Sequence, residues 1–325
     1  MSDDTPPAAK PSLLSMSVSA GGFCEIIALL SLAGTWLGSL GRHHWFLDLM
    51  SHLRLQYLVV CALVMVFALL RRRVWLVVVA LVSLLWNAQL VHAVHHTASG
   101  PGMEGKPLRL MVFNVMITNR NQFACIEHVL KSDADIVCLL ETDETWRESL
   151  EPLRMKYAHR VEELGAGAFS IACYSRLPVK SSEIRRFTDW NLPTVLLNLD
   201  HHGTPLTFIG THPLPPMGPM DAQIWRDQLE RIGRFAAGID GEVIVAGDLN
   251  ATPWCEGMRR LCESGGLQFR SAAPVWLPTW GLHLPTMIPI DHVLLKRGLM
   301  VTKRVIGPGL GSDHRSVVVE IVRRN

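Results

Sequence analysis

An excess of either charge is missing from most of this 325-residue chain. Residues 101–325 hold 25 Lys/Arg and 25 Asp/Glu, so that portion is formally neutral. Sequence-independent nucleic-acid binding rests on a basic surface that neutralises phosphates, and no such surface is evident. Cysteine is sparse as well. The seven cysteines are scattered, with no CxxC pair and no Cys/His zinc spacing. Cys255 and Cys262 are near enough in sequence to bridge, although a disulfide is the minority reading. No internal repeat long enough to name is present.

Charge of both signs is scarce before residue 101, where six Lys/Arg and four Asp/Glu occur. Residues 1–20 are polar, small and proline-containing, which predicts a flexible tail. Three apolar stretches follow: Gly21 to Leu40, Gln56 to Leu70, and Val74 to Val91. Each is about long enough to cross a hydrocarbon core, the second only if it extends back towards Met50 with Arg54 snorkelling. Residues 21–94 are therefore expected to form a transmembrane region of about three helices that contacts the lipid bilayer. A cleaved signal peptide explains the first stretch and leaves two unexplained.

Orientation follows from the arginines. Arg71, Arg72 and Arg73 form the tightest positive cluster, between the second and third stretches, so this turn is expected to stay cytoplasmic. Arg42 and Arg54, against Asp48, pull the other way. The balance predicts an integral protein of a bacterial inner membrane with its C-terminal domain extracytoplasmic.

Residues 95–106, with Gly100, Pro101, Gly102 and Gly105, read as a linker, and 107–325 as a separate domain. There, short apolar runs alternate with amphipathic segments. Strands are predicted at Leu108–Phe113, Ile136–Leu140, Ala168–Tyr174, Thr194–Leu199, Leu206–Gly210, around Val243, at Asp291–Leu295 and at Val317–Val322. Helical spacing marks Ile126–Lys131 and Ala222–Ala237.

The chemistry-bearing residues share a position. Asn114, Glu141, His212, Asp248, Asn250, Asp291, Asp313 and His314 nearly all fall where an apolar run meets a loop. In GDLN at 247–250, extended backbone would put Asp248 and Asn250 on one face. Each residue alone reads equally well as a turn former, a helix-start charge or a surface histidine. Eight strand-end residues gathered on one edge of a sheet sandwich would make a site, and its oxygen ligands suit Mg²⁺ or Mn²⁺ better than zinc.

The ordered set resembles the endonuclease/exonuclease/phosphatase superfamily, the fold of DNase I. It comprises Asn114 in LMVFNV, Glu141 in IVCLLETD, His212 in GTHP, GDLN, Asp291 in IDHVLL, and Asp313–His314 in GSDHRSV. The resemblance runs from about residue 108 to 322. It implies a four-layer α/β sandwich and metal-dependent hydrolysis of a phosphate ester. It further implies Glu141, Asn114 and Asp313 around the metal, and Asp248 orienting or deprotonating the attacking water. Asn250 and His314 would contact phosphoryl oxygens, Asp291 would orient His314, and His212 would protonate the leaving oxygen or contact the phosphate. Ser175–Arg176 and Trp280 also resemble positions near the family's cleft. His212 stands where abasic-site repair members carry tyrosine, and so resembles the DNase I, sphingomyelinase and inositol-phosphatase branches.

The expected function is a membrane-anchored phosphoesterase, foremost a phosphodiesterase, acting on nucleic acid or on a membrane phospholipid headgroup. The rival from another class is a retired binding module on the same fold. No protein partner is indicated.

Overall fold

In the computed structural model, which describes residues 20–94 and 103–324 apart from 282, 284, 285 and 297, the uninterrupted apolar runs become strands buried on both faces. Strand β2 (Ile136–Leu140) illustrates the division. Ile136, Cys138 and Leu140 enter a core between two sheets, whereas Val137 and Leu139 enter a second core beneath helices. The predicted tail (up to residue 19) and the linker residues 95–102 lie outside the described residues.

Two mixed sheets form the C-terminal domain. The first contains β1 (Met103–Asn114), β2, β3 (His159–Glu163), β4 (Ile171–Ser175), β10 (Leu299–Ile306) and β11 (Val317–Arg324), in the order β10-β11-β1-β2-β4-β3. The second contains β5 (Val179–Arg186), β6 (Pro193–His201), β7 (Thr204–Thr211), β8 (Glu242–Asp248) and β9 (Asp291–Leu295), in sequence order. Their inner faces share a core that includes Leu110, Cys138, Phe208 and Ile244. Helices α5 (Gln122–Ser132) and α6 (Glu151–Lys156) cover the outside of the first sheet. Helices α7 (Pro219–Ala237) and α8 (Glu256–Gly265) cover the second. The layers run helix, sheet, sheet, helix.

Some boundaries differ from the sequence expectation. Strand β1 starts at Met103, opposite Arg324, with a register shift between Glu104 and Leu108, so residues 103–106 are strand and not linker. The strand expected from Ala168 starts at Ile171, because Gly167 takes φ +59° and opens a short 3₁₀ turn over Gly167–Phe169. Cys255 and Cys262 are unbridged.

The N-terminal region holds α1 (Ala20–Gly38), α2 (Trp45–Ser51), α3 (Arg54–Leu70) and α4 (Val74–Ala93). Leu32, Val64 and Leu76 are buried in its core, and many large apolar side chains face outward. Thr35, Ser83 and Asn87 are buried with Ala28, Ala68 and Ala80, while Leu63, Leu70 and Val74 are exposed. Three spans were expected. Among the described residues, α4 alone is long and apolar enough to cross a membrane, and α2 with α3 passes only as a pair bent by 64°. The apolar stretch Ile26–Gly38 of α1 is shorter than a span. Nor does Arg54 snorkel. Its side chain is buried and donates to the Thr35 carbonyl (2.6 Å) and to Asn87 Oδ1 (3.1 Å).

Candidate active site

Each sheet contains one parallel pair, β1–β2 and β7–β8, joined through α5 and α7 respectively. At the C-terminal ends of these four strands stand Asn114, Glu141, His212 and Asp248. Two antiparallel neighbours add the rest. Strand β9 begins at Asp291, directly opposite Asp248, and the loop leading into β11 carries Asp313 and His314. The packed sheets therefore bring residues from six segments to one edge.

Asn114 ties the halves together. Its Nδ2 donates to Glu141 Oε1 (2.9 Å) and to Asp248 Oδ2 (3.1 Å), across the gap between the two sheets. Its Oδ1 accepts from the Met116 N–H at 3.0 Å. Glu141 takes φ +63°, a left-handed conformation unfavourable for a side chain of this kind. It is held there because its N–H donates to the Ser170 carbonyl (2.8 Å) and its Oε2 accepts from the Ile117 N–H (2.9 Å).

Glycine is obligatory at 247. A Cβ there would lie 1.8 Å from the Thr211 carbonyl oxygen, so only a bare backbone lets β8 bring Asp248 beside His212. His212 Nε2 stands 3.3 Å from Asp248 Oδ2. Asn250, at φ +48°, donates its backbone N–H to Asp248 Oδ1 (3.0 Å) and its Nδ2 to the Pro213 carbonyl (2.9 Å).

Burial works against charge throughout this cluster, yet opposite charges reverse it in places. At Asp248, burial is outweighed by His314 and His212, which hold the carboxyl well below the usual range. At His314, burial is overcome by Asp291 and Asp248, and the imidazole is pushed up to about 10. His212 moves in the same direction, burial being outweighed by Asp248. Burial raises Asp291, with His314 pulling the other way. These directions favour an imidazolium at His314 beside an ionised Asp248.

Four carboxylates converge here with two imidazoles, and that donor set fits a hard divalent cation: oxygen-rich, acidic, and without thiolate. Glu141 keeps unused lone pairs on both oxygens beyond the single bond each accepts. Asp313 accepts from Trp280 Nε1 at 2.9 Å. Among the described residues it shares no hydrogen bond with Glu141 or Asn114. Asn114 turns its NH₂ to the acids, so in this arrangement it acts as a donor to them. The tightest group of ligating atoms belongs to Asp248, Asp291 and His314, all within 4.8 Å of one another.

One sequence expectation fails. Ser175 lies opposite Ile136, at the far end of β2 from Glu141, and donates to the Leu177 carbonyl. Arg176 pairs with Asp133 and is remote from the cleft as well. Trp280 is at the site, its ring centroid 6.5 Å from that of His314.

Other residues serve the site without having stood out. Thr279 Oγ1 accepts from the Asp291 N–H (3.1 Å), and Ser312 Oγ donates to the Asn114 carbonyl (2.8 Å) while accepting from the His314 N–H (3.0 Å). Ser312, directly before Asp313–His314, carried a positional signal; Thr279 carried none. A recess of about 810 Å³ near Lys156–Arg160 and Val179–Ser182 holds no candidate residue.

The sequence profile described as the Endonuclease/Exonuclease/phosphatase family matches residues 84–314. Comparison with curated proteins finds no match. Among solved structures, sphingomyelinase C from Streptomyces griseocarneus is similar, with 16% identity, 66% of this chain and 99% of that chain covered, and a TM-score of 0.52. The human Nocturnin catalytic domain with bound sulfate shares 18% identity over 69% of this chain and 97% of that one, with a TM-score of 0.55. D. rerio TDP2 complexed with single strand DNA product shares 16% identity over 67% and 99%, with a TM-score of 0.56. At these identities the likeness is one of fold.

Proposed function

The chain belongs to the endonuclease/exonuclease/phosphatase family, and from that premise we propose that it is a membrane-anchored, divalent-metal-dependent phosphodiesterase. The observation that carries the chemistry is the double hydrogen bond of Asn114, which joins Glu141 of one sheet to Asp248 of the other. It gathers an acid suited to a cation and an acid suited to water around one point.

Glu141, with Asn114 bonded to it and Asp313 on the same edge, would hold Mg²⁺ or Mn²⁺, which would supply neutralisation of the charge that develops on the phosphoryl group. Asp248 stays ionised, so it accepts a hydrogen bond from the attacking water and aligns it for in-line displacement. A carboxylate held so acidic is a weak base, which makes orientation the larger part of its work. His314, kept cationic by Asp291, donates Nε2–H to a phosphoryl oxygen and stabilises the transition state. His212 carries a proton at Nε2 for the leaving oxygen. The second N–H of Asn250 Nδ2, beyond the one given to Pro213, is free for a phosphoryl oxygen.

Membrane anchoring is supported by the exposed apolar outer faces of the N-terminal helices and by the apolar length of α4. Burial of Arg54 removes one of the two arginines that opposed the cytoplasmic placement of Arg71–Arg73. The catalytic domain follows α4 and so belongs on the opposite, extracytoplasmic side. An impermeant thiol label on a cysteine appended after residue 325 should react in intact spheroplasts; labelling only after lysis would put the domain in the cytoplasm.

The similarity to a sphingomyelinase and to a DNA-bound enzyme leaves two substrate classes to separate. The full-length protein in detergent should be assayed with Mg²⁺, with Mn²⁺ and with EDTA against plasmid DNA, RNA, a chromogenic phosphodiester and phospholipid micelles. Metal-dependent cleavage of one of these, absent from Glu141→Gln, is the expected result. A nucleic-acid substrate would show steep loss of binding with salt. Silence of the folded protein on all four would overturn the hydrolase reading in favour of a binding module.

A further inference from the structure

A recess of about 190 Å³ opens beside the site, and two of the residues lining it, Leu49 and His52, come from the N-terminal helical region. The catalytic domain supplies the remaining walls, among them Pro216, Asn250, Trp280 and Ile290. Asn250 and Trp280 both belong to the site, so the recess adjoins it.

The foreign wall is fixed in place. Asp48 of α2 is buried, accepts from the Glu256 N–H at the start of α8 (2.9 Å) and stands 3.5 Å from Arg226 of α7. Arg226 also donates to the Gly41 carbonyl (3.3 Å), and Gln56 Nε2 donates to the Met287 carbonyl (2.9 Å). Four contacts thus hold the α1–α3 connection and the start of α3 against the catalytic domain. Without it the recess would lack one wall.

The lining says what would fit. It is almost wholly apolar, and the volume slightly exceeds that of an engineered cavity, about 150 Å³, known to take benzene. One polar group in it lacks a partner. His52 is 7% exposed, and its Nε2 makes no hydrogen bond among the described residues. A buried ring nitrogen left so is costly unless a ligand oxygen meets it. A nucleobase would need several edge-on partners, and this lining offers only His52 and Asn250.

We propose that the recess is a subsite for the hydrocarbon part of the alcohol esterified to the phosphate, so that the substrate is a lipid phosphoester and α2 is part of its recognition. This rests on the phosphoesterase reading. His52 Nε2 meets an oxygen between phosphate and chain, and Leu49 covers the first methylenes. The exposed apolar faces of α3 and α4 set this mouth near the surface of a bilayer, where such a substrate lies.

The test uses the full-length protein and measures binding of methyl, butyl and hexyl phosphate and of thymidine 5′-phosphate. Butyl phosphate is expected to bind about 10-fold or more tighter than methyl phosphate, since each buried methylene adds several-fold. Leu49→Trp, which fills the recess, should abolish that gain and leave methyl phosphate unchanged; Leu49→Met should keep it. Equal affinity for methyl and butyl phosphate overturns the subsite. A gain for the nucleotide that exceeds the butyl gain and is lost in Leu49→Trp overturns the lipid class. Hydrolysis of a chromogenic phosphodiester is scored separately: its presence with flat chain-length dependence sinks only the subsite, and its absence with a clear chain-length gain sinks only the hydrolase reading.

Discussion

Asp291 Oδ2 stands 3.0 Å from Nδ1 of His314, and Asp248 Oδ2 stands 3.5 Å from Nε2 of the same ring. The imidazole is clamped between two buried carboxylates that are also cross-strand partners in β8 and β9. Like charges directly opposite would repel, and the cationic ring between them removes that cost. Asp291→Asn removes the charge behind the ring, so turnover should fall by about 10²-fold or more while the fold persists. Turnover within twofold of the parent would take Asp291 out of the mechanism.

Glu141 combines a functional carboxylate with backbone strain. Glu141→Ala and Glu141→Gly should both abolish metal-dependent turnover. The glycine variant should nevertheless be the more stable by about 1 kcal/mol, because only it accepts the left-handed conformation freely. Urea midpoints decide this. An alanine variant as stable as the glycine variant would show that position 141 stores no strain.

Gly247 admits no side chain. Gly247→Ala should destabilise the domain by at least about 3 kcal/mol, since the Thr211 backbone must move away. The same movement separates His212 from Asp248, so activity should fall even where the variant remains folded. Wild-type stability would mean that β7 and β8 are not held as closely as described.

His292 gives the fold an acid limit. Burial, with Arg304 nearby, pushes its pKa down to about 3, and Nε2 lies within hydrogen-bond distance of the Ala251 (2.8 Å) and Pro289 (3.1 Å) carbonyls. A lowered histidine pKa means that the unfolded chain takes up the proton first. Its contribution is therefore complete above the ordinary value of about 6.5 and declines towards pH 3, by at most about 1.4 kcal/mol per pH unit. Melting temperature against pH should slope less in His292→Gln across this window. Parallel curves would remove His292 as a cause.

Much of the fold was legible because buried strands leave unbroken apolar runs. Ile136–Leu140 and Asp291–Leu295 coincide with β2 and β9. The strands that escaped notice, β3, β5 and β10, all lie at sheet edges. Charge that discourages pairing with other chains erases the apolar signal in VKSSEIRR of β5, while the edge strand β9 keeps its apolar run.

The candidate site was legible for a related reason. Polar residues that follow an apolar run mark strand ends, and strand ends collect at one edge. What no local pattern carries is a partner distant in sequence. Arg54 looked like a loop charge because its acceptor Asn87 lies on another helix, and α2 gave no hint of a place beside Asn250. Ser175–Arg176 misled because a short motif does not say which end of its strand it occupies.

The division of the chemistry between two β–helix–β units bears on how the protein matures. The unit β1–α5–β2 ends in Asn114 and Glu141, and β7–α7–β8 ends in His212 and Asp248. Neither holds both of the acids that Asn114 bridges, however well it forms by itself. During synthesis the first unit emerges long before the second, and in the interval Asn114 has no Asp248 to bond. Under the proposed function, activity requires the second sheet to close on the first, so its regain during refolding should time that closure rather than the growth of secondary structure.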